Sequence, residues 1–107
     1  MAHIDLDSQT FQKEVLEEKD RIVIVDFWAD WCMPCHMLSP VIEEVSEEYK
    51  DKVKVCKLDV DASSDRASEY QVMSIPNVVF FKEGKEVARL IGVRPKADFV
   101  KQIEELL

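Results

Sequence analysis

Neither a long hydrophobic run nor an excess of positive charge is present in this sequence. Its longest nearly apolar stretch, Ile22 to Ala29, is interrupted by Asp26 and is far too short to cross a bilayer. Fourteen Lys and Arg stand against 22 Asp and Glu, a formal net charge of −8. Nucleic acid and anionic membrane surfaces would repel such a chain, so neither is expected as a partner. The opening residues MAHIDLDSQTF lack the basic and apolar regions of a secretory signal, which points to a cytoplasmic location. Cysteine is scarce and odd in number, with Cys32, Cys35 and Cys56 alone. A disulfide-stapled framework needs an even count, so a reducing compartment is the natural setting. No repeat, linker or low-complexity segment divides the 107 residues, and 1–107 reads as one domain.

What is present is a regular alternation of elements. His3 to Leu6 suits a short strand, and Asp7 or Ser8 can cap a helix carrying Phe11, Val15 and Leu16. RIVIVDFW, Arg21 to Trp28, is β-branched and aromatic, apolar on both faces, and reads as a central buried strand. A helix follows from Pro34 to about Tyr49, with a kink expected at Pro40. Val53 to Val60 suits a strand and Ala62 to Tyr70 a short helix. Pro76 opens a further strand to Phe81, and a Glu83-Gly84-Lys85 turn leads into Glu86 to Ile91 as a hairpin. The last helix runs from about Pro95 to Leu107. The order βαβαβαββα implies an α/β domain, a parallel section of sheet with an antiparallel edge.

Between the central strand and its helix lies WCMPCH, Trp31 to His36. C-x-x-C at a strand-to-helix junction is the pattern of a dithiol redox centre, and C-x-x-C-H that of covalent haem attachment. From the motif alone both remain open. A structural zinc site would need a second ligand pair, which Cys56 and the scattered histidines do not supply.

The surrounding sequence chooses. VDFWADWC-x-PC from Val25 to Cys35, LDVD from Leu58 to Asp61, MSIPNVVFFKEGK from Met73 to Lys85 and GVRPK from Gly92 to Lys96 resemble the thioredoxin family, in its order and over nearly the full length. Haem attachment would require an exported chain with a pocket of apolar helices, and is set aside. The resemblance implies the thioredoxin fold, a central five-stranded mixed β-sheet flanked by four α-helices. It implies a protein-disulfide reductase working through a reversible Cys32–Cys35 dithiol/disulfide, monomeric, with no bound cofactor and no metal. Its expected partners are a thioredoxin reductase and oxidised client proteins. It also implies a cis proline at Pro76, a charged partner for Asp26 at Lys57, and an apolar substrate groove. That groove would include Trp31, Ile75, Pro76 and Gly92, with Met33 and Pro34 beside it and Met73 and Val93 as additions.

These residues suit the chemistry. Cys32 at a helix N-terminus meets unpaired N–H groups that stabilise a thiolate nucleophile. Cys35, three residues on, is placed to resolve the mixed disulfide. Asp26, an acid in an otherwise apolar strand, is the candidate general base, since desolvation raises its proton affinity. Pro34 stiffens the first turn. Cys56 is expected to fill core, Glu43, Glu44, Glu47 and Glu48 to form a solvated helix face, Trp28 to pack near the site, and His3 is assigned nothing.

Two positions depart from the family: Met33 where glycine is usual and His36 where lysine is usual. Asn77, in place of a common threonine, is a lesser one. Met33, Pro34 and His36 are therefore the candidates for redox tuning, toward a more oxidising couple. Rival functions on the same fold are a disulfide oxidant or isomerase with a raised potential, and a non-catalytic thioredoxin-fold binding subunit.

Overall fold

The computed structural model describes residues 2–107. Nine elements follow one another: β1 (Ile4–Leu6), α1 (Gln12–Leu16), β2 (Ile22–Trp28), α2 (Met33–Glu48), β3 (Val53–Asp59), α3 (Ser64–Glu69), β4 (Asn77–Lys82), β5 (Lys85–Ile91) and α4 (Lys96–Leu106). The five strands form one mixed sheet in the order β1-β3-β2-β4-β5. β1 and β2 run parallel to β3, while β4 is antiparallel to both β2 and β5.

The antiparallel part thus begins one strand earlier than the closing hairpin requires. Asn77 at the start of β4 pairs with Phe27 near the end of β2, so the chain re-enters the sheet where β2 leaves it. The six-residue α3 does not carry the chain back to the other end of the sheet, as a parallel crossover would.

β2 is buried from Ile22 to Phe27 because helices cover both faces of the sheet. Strand alternation divides its side chains. Val23, Val25 and Phe27 join Phe11, Val15, Cys56, Leu58, Val79 and Phe81 in one core, on the side of α1 and α3. Ile22 and Ile24 join Leu38, Ile42, Val45, Val55, Phe80, Phe99 and Ile103 in the other, under α2 and α4.

Local chemistry sets the ends. Asp7, rather than Ser8, caps the first helical segment, its Oδ1 accepting from the N–H of Gln9 and Thr10 at 2.9 and 2.8 Å. That segment is π-helical, closed by an i→i+5 bond from Glu17 N–H to Gln12 O at 3.1 Å. α2 continues through Pro40, whose missing N–H leaves the carbonyl one turn earlier without its helical partner. The hairpin turn is Glu83-Gly84, both at positive φ (52° and 81°), a pairing typical of type I′ turns between twisted strands. A bulge between Phe80 and Phe81 shifts the β4–β5 register.

Candidate active site

β2, the α2 N-terminus and the loop before β4 meet at one end of the sheet. Cys32 is the N-cap of α2 and Cys35 lies in its first turn, with Cα atoms 5.3 Å apart and the two sulfurs joined as a disulfide. The Cys35 N–H donates to Cys32 Sγ at 3.2 Å. An N-cap residue ordinarily offers an oxygen to these orphan donors, and here a sulfur takes its place. The same N–H will therefore face a thiolate once the pair is reduced, which favours ionisation. Pro34 is compatible with the first turn because no helical donor is needed there.

Both cysteines are buried, against Ala29, Trp28, Val60 and Ile75. Opposite them the Ile75–Pro76 bond is cis, and the Ile75 carbonyl lies 3.8 Å from Cys32 Sγ. Trp31 is exposed, held by a 2.8 Å bond from its Nε1–H to Asp61 Oδ2. With Val60, Val72, Met73, Ser74 and Ile75 it lines a cavity of about 400 Å³. Gly92 lies outside this lining, tied to the loop by its N–H donating to Pro76 O at 2.9 Å. Met33, Met37, Met73 and Val93 are exposed apolar side chains around the same end.

Cys35 shares its helical stripe with Leu38, Ile42 and Val45, which face the sheet over Ile24. Asp26 is on that side of β2, 1% exposed, and its Oδ1 receives no hydrogen bond within the protein. Burial pushes its carboxyl up to about 6, against a smaller opposing pull from Lys57 and then His3. Lys57 is the register partner of Asp26 on β3. Its ammonium nonetheless donates to Ser39 Oγ at 3.2 Å and lies 4.8 Å from the Trp28 ring centroid, so it acts on the acid through space.

His36 does not cover the sulfurs. Its Nε2 is 2.7 Å from the Asp30 carbonyl, which can only accept, so Nε2 carries the proton and ties α2 to the preceding loop. Its ring also meets Trp28 edge-on, at 6.1 Å between centroids. Cys56 sits in the opposite core, fully buried, with its thiol pushed up to about 12 by desolvation. Among the described residues no three His, Cys, Asp or Glu side chains gather as a metal site, and no helix is long and apolar enough to cross a membrane.

Comparison with known proteins decides the family. The thioredoxin profile matches residues 2–105. The chain belongs to the thioredoxin family. It is 42% identical over 106 residues to a thioredoxin of Alicyclobacillus acidocaldarius subsp. acidocaldarius, covering 99% of each chain. It is 45% identical over 105 residues to a thioredoxin of Rickettsia conorii (strain ATCC VR-613 / Malish 7), covering 98% of each. Against the chloroplastic M-type thioredoxin of Chlamydomonas reinhardtii identity is 46% over 102 residues, 95% of this chain and 72% of that protein. As a thioredoxin-family member with a closed C-x-x-C pair, the chain is a thiol–disulfide oxidoreductase that reduces protein disulfides.

The sequence pointed to Cys32, Cys35, Asp26, Lys57, Trp31, Ile75 and Pro76 as site residues, but not to Asp30, Ser39, Val60, Val72, Ser74 or His3. Periodicity could have placed His3 on the Asp26 side of the sheet, two residues before Asp5, but not beneath α2.

Proposed function

We propose that Cys32 is the attacking thiol, Cys35 the resolving thiol and Asp26 the base that prepares Cys35. The observation that carries this assignment is the 3.2 Å bond from Cys35 N–H to Cys32 Sγ, which directs helix-terminal donors at one sulfur and not the other. The Cys32 thiolate attacks a client disulfide, forming a mixed disulfide and expelling one client sulfur as thiolate. Asp26 takes the Cys35 proton, directly or through one solvent molecule. The Cys35 sulfur then attacks Cys32 Sγ. The Cys32–Cys35 bond forms, the bond to the client breaks, and the second client sulfur leaves with the electron pair. The client gains two electrons and the C-x-x-C pair loses two.

Lys57 biases Asp26 toward its charged form, and the Trp31–Ile75–Pro76 surface, with Met33, Pro34 and Gly92 at its margins, receives extended client segments. We read 1–107 as a single, monomeric domain that needs no bound cofactor or metal, working in a reducing cytoplasm. A thioredoxin reductase recharges the pair and oxidised proteins discharge it. The decisive experiment is insulin reduction coupled to a thioredoxin reductase, with Cys32→Ser and Cys35→Ser beside the wild type. Turnover is expected only in the wild type, and Cys35→Ser should accumulate a mixed disulfide through Cys32. Trapping by Cys32→Ser instead would reverse the two roles. No turnover by the wild type would favour a binding subunit.

Met33 and His36 favour a second reading, a couple shifted toward disulfide formation or isomerisation. A reduction potential near about −270 mV supports the reductase, and one of roughly −180 to −120 mV the oxidant or isomerase.

A further inference from the structure

One row of side chains carries charge across three neighbouring strands. Asp5 on β1, Lys57 on β3 and Asp26 on β2 are in register. At a strand spacing of about 4.8 Å, the Cα atoms of Asp5 and Asp26 stand roughly 10 Å apart. His3 precedes Asp5 by two residues and faces the same side of the sheet, beneath α2. Its side chain is only 8% exposed. One ring nitrogen meets Asp5 Oδ1 at 3.1 Å and the other meets Oε1 of Glu43, which α2 projects toward it. Side-chain exposure rises from His3 at 8% through Glu43 at 26% to Asp5 at 79%. His3 thus lies buried between two more exposed carboxylates, on the same face of the sheet as the buried acid. On this face β4 and α4 contribute apolar side chains, Val78, Phe80, Phe99 and Ile103, and Ser39 of α2 is the acceptor for Lys57.

We propose that His3, held by Glu43, is a positioning residue for the resolving step, its charge setting how readily Asp26 is negative beneath Cys35. The proposal rests on the reading of Asp26 as base. Two cations act on that acid, Lys57 more strongly and His3 second. A lysine ammonium keeps its charge through the neutral range, whereas an imidazole is the side chain that ordinarily loses its charge there. Both pull toward the charged acid, Lys57 from the adjoining strand and His3 from the entry to the strand beyond it. Glu43 holds the ring from α2, one step further out. With His3 charged, Asp26 is more often the carboxylate that can accept the Cys35 proton. With His3 neutral, Asp26 holds its own proton more tightly.

The test is a carbon-13 NMR titration of the Asp26 carboxyl in the reduced full chain, for wild type, His3→Gln and His3→Lys. The pH dependence of mixed-disulfide resolution is followed in the same proteins. His3→Gln should raise the Asp26 midpoint, and the midpoint of resolution with it, by about half a pH unit. His3→Lys should bring both back to the wild-type value or below. A midpoint that His3→Gln does not move, or an equal rise in His3→Lys, overturns the proposal. Asp26→Asn separates the two failures. If it leaves the pH profile of resolution unchanged, the base assignment falls and takes this proposal with it. If it abolishes the profile while His3→Gln leaves it in place, the His3 proposal falls alone.

Discussion

Asp26 and Lys57 sit opposite each other on adjacent parallel strands, yet the lysine spends its hydrogen bond on Ser39 and its cation on the face of Trp28. The acid is left with one oxygen that no protein donor satisfies. A fully paired carboxylate would be held below the range in which it can take a proton from a thiol. Attraction at a distance lowers its proton affinity without cancelling the rise that burial causes.

The stability of the fold carries the mark of that arrangement. The Asp26 carboxyl is raised from 3.8 to about 6 in the folded chain. Between those values the folded state binds more protons than the unfolded one, so stability falls as pH rises through the window. Below it the neutral acid carries no penalty; above it the buried charge costs about 2–3 kcal/mol. Asp26→Asn should therefore raise the melting temperature by about 10 °C at pH 8 and scarcely at all near pH 3.5. Thermal melts of both proteins at the two pH values test this, and an equal gain at both would mean the effect is not electrostatic.

Redox poise should respond to the two unusual residues in the motif. Met33 adds an exposed side chain beside the nucleophile, and His36 fixes the loop through Asp30. Replacing both, Met33→Gly with His36→Lys, is expected to lower the reduction potential by about 30 mV, which is 1.4 kcal/mol for a two-electron couple. Equilibration with dithiol buffers, followed by tryptophan fluorescence, gives the value. A potential that stays put removes these positions from the tuning.

The two glycines should differ sharply. Both have positive φ, 81° at Gly84 and 87° at Gly92. A Cβ on Gly84 would lie 2.6 Å from the Leu16 carbonyl oxygen at the end of α1, whereas one on Gly92 would meet nothing within 4 Å. Gly92→Ala should cost about 1 kcal/mol, for backbone conformation alone, and Gly84→Ala about 3 kcal/mol or more. Urea denaturation at neutral pH would rank them, and equal losses would show that the α1 contact relaxes freely.

Cys56 should be silent while the protein is folded. Its thiol is fully buried and pushed up to about 12, so almost no thiolate exists at pH 8. Thiol reagents are expected to label Cys56 only at the rate of unfolding, with Cys32 and Cys35 locked as the disulfide. Labelling of the native oxidised protein within minutes would reveal local opening of β3.

Much of this was legible in the sequence because it is local. The apolar runs at Ile22 to Phe27 and Val53 to Leu58, the helical stripe through Leu38, Ile42 and Val45, and the motif between them all announce themselves within a few residues. The direction of β4 is different, since its pairing with β2 depends on which end of the sheet the chain re-enters. His3 escaped notice for a similar reason. Its neighbours, Glu43 and the row ending at Asp26, lie 40 and 23 positions away along the chain. The family resemblance pointed to Lys57 as the charged companion of Asp26, but only coordinates could show the ammonium bonded elsewhere.

The alternation of β2 has one more consequence. Val25 and Phe27 point into one core while Asp26 between them points into the other, so the sheet separates the molecule into two compartments that share backbone but few side-chain contacts. Substitutions that respect volume around Phe11, Val15, Cys56 and Phe81 can alter stability while leaving the redox chemistry intact. The compartments meet at the dithiol, where Val60 and Ile75 pack against both the Cys32–Cys35 pair and the Phe11–Phe81 core, so a change of volume at those two positions would reach the redox pair.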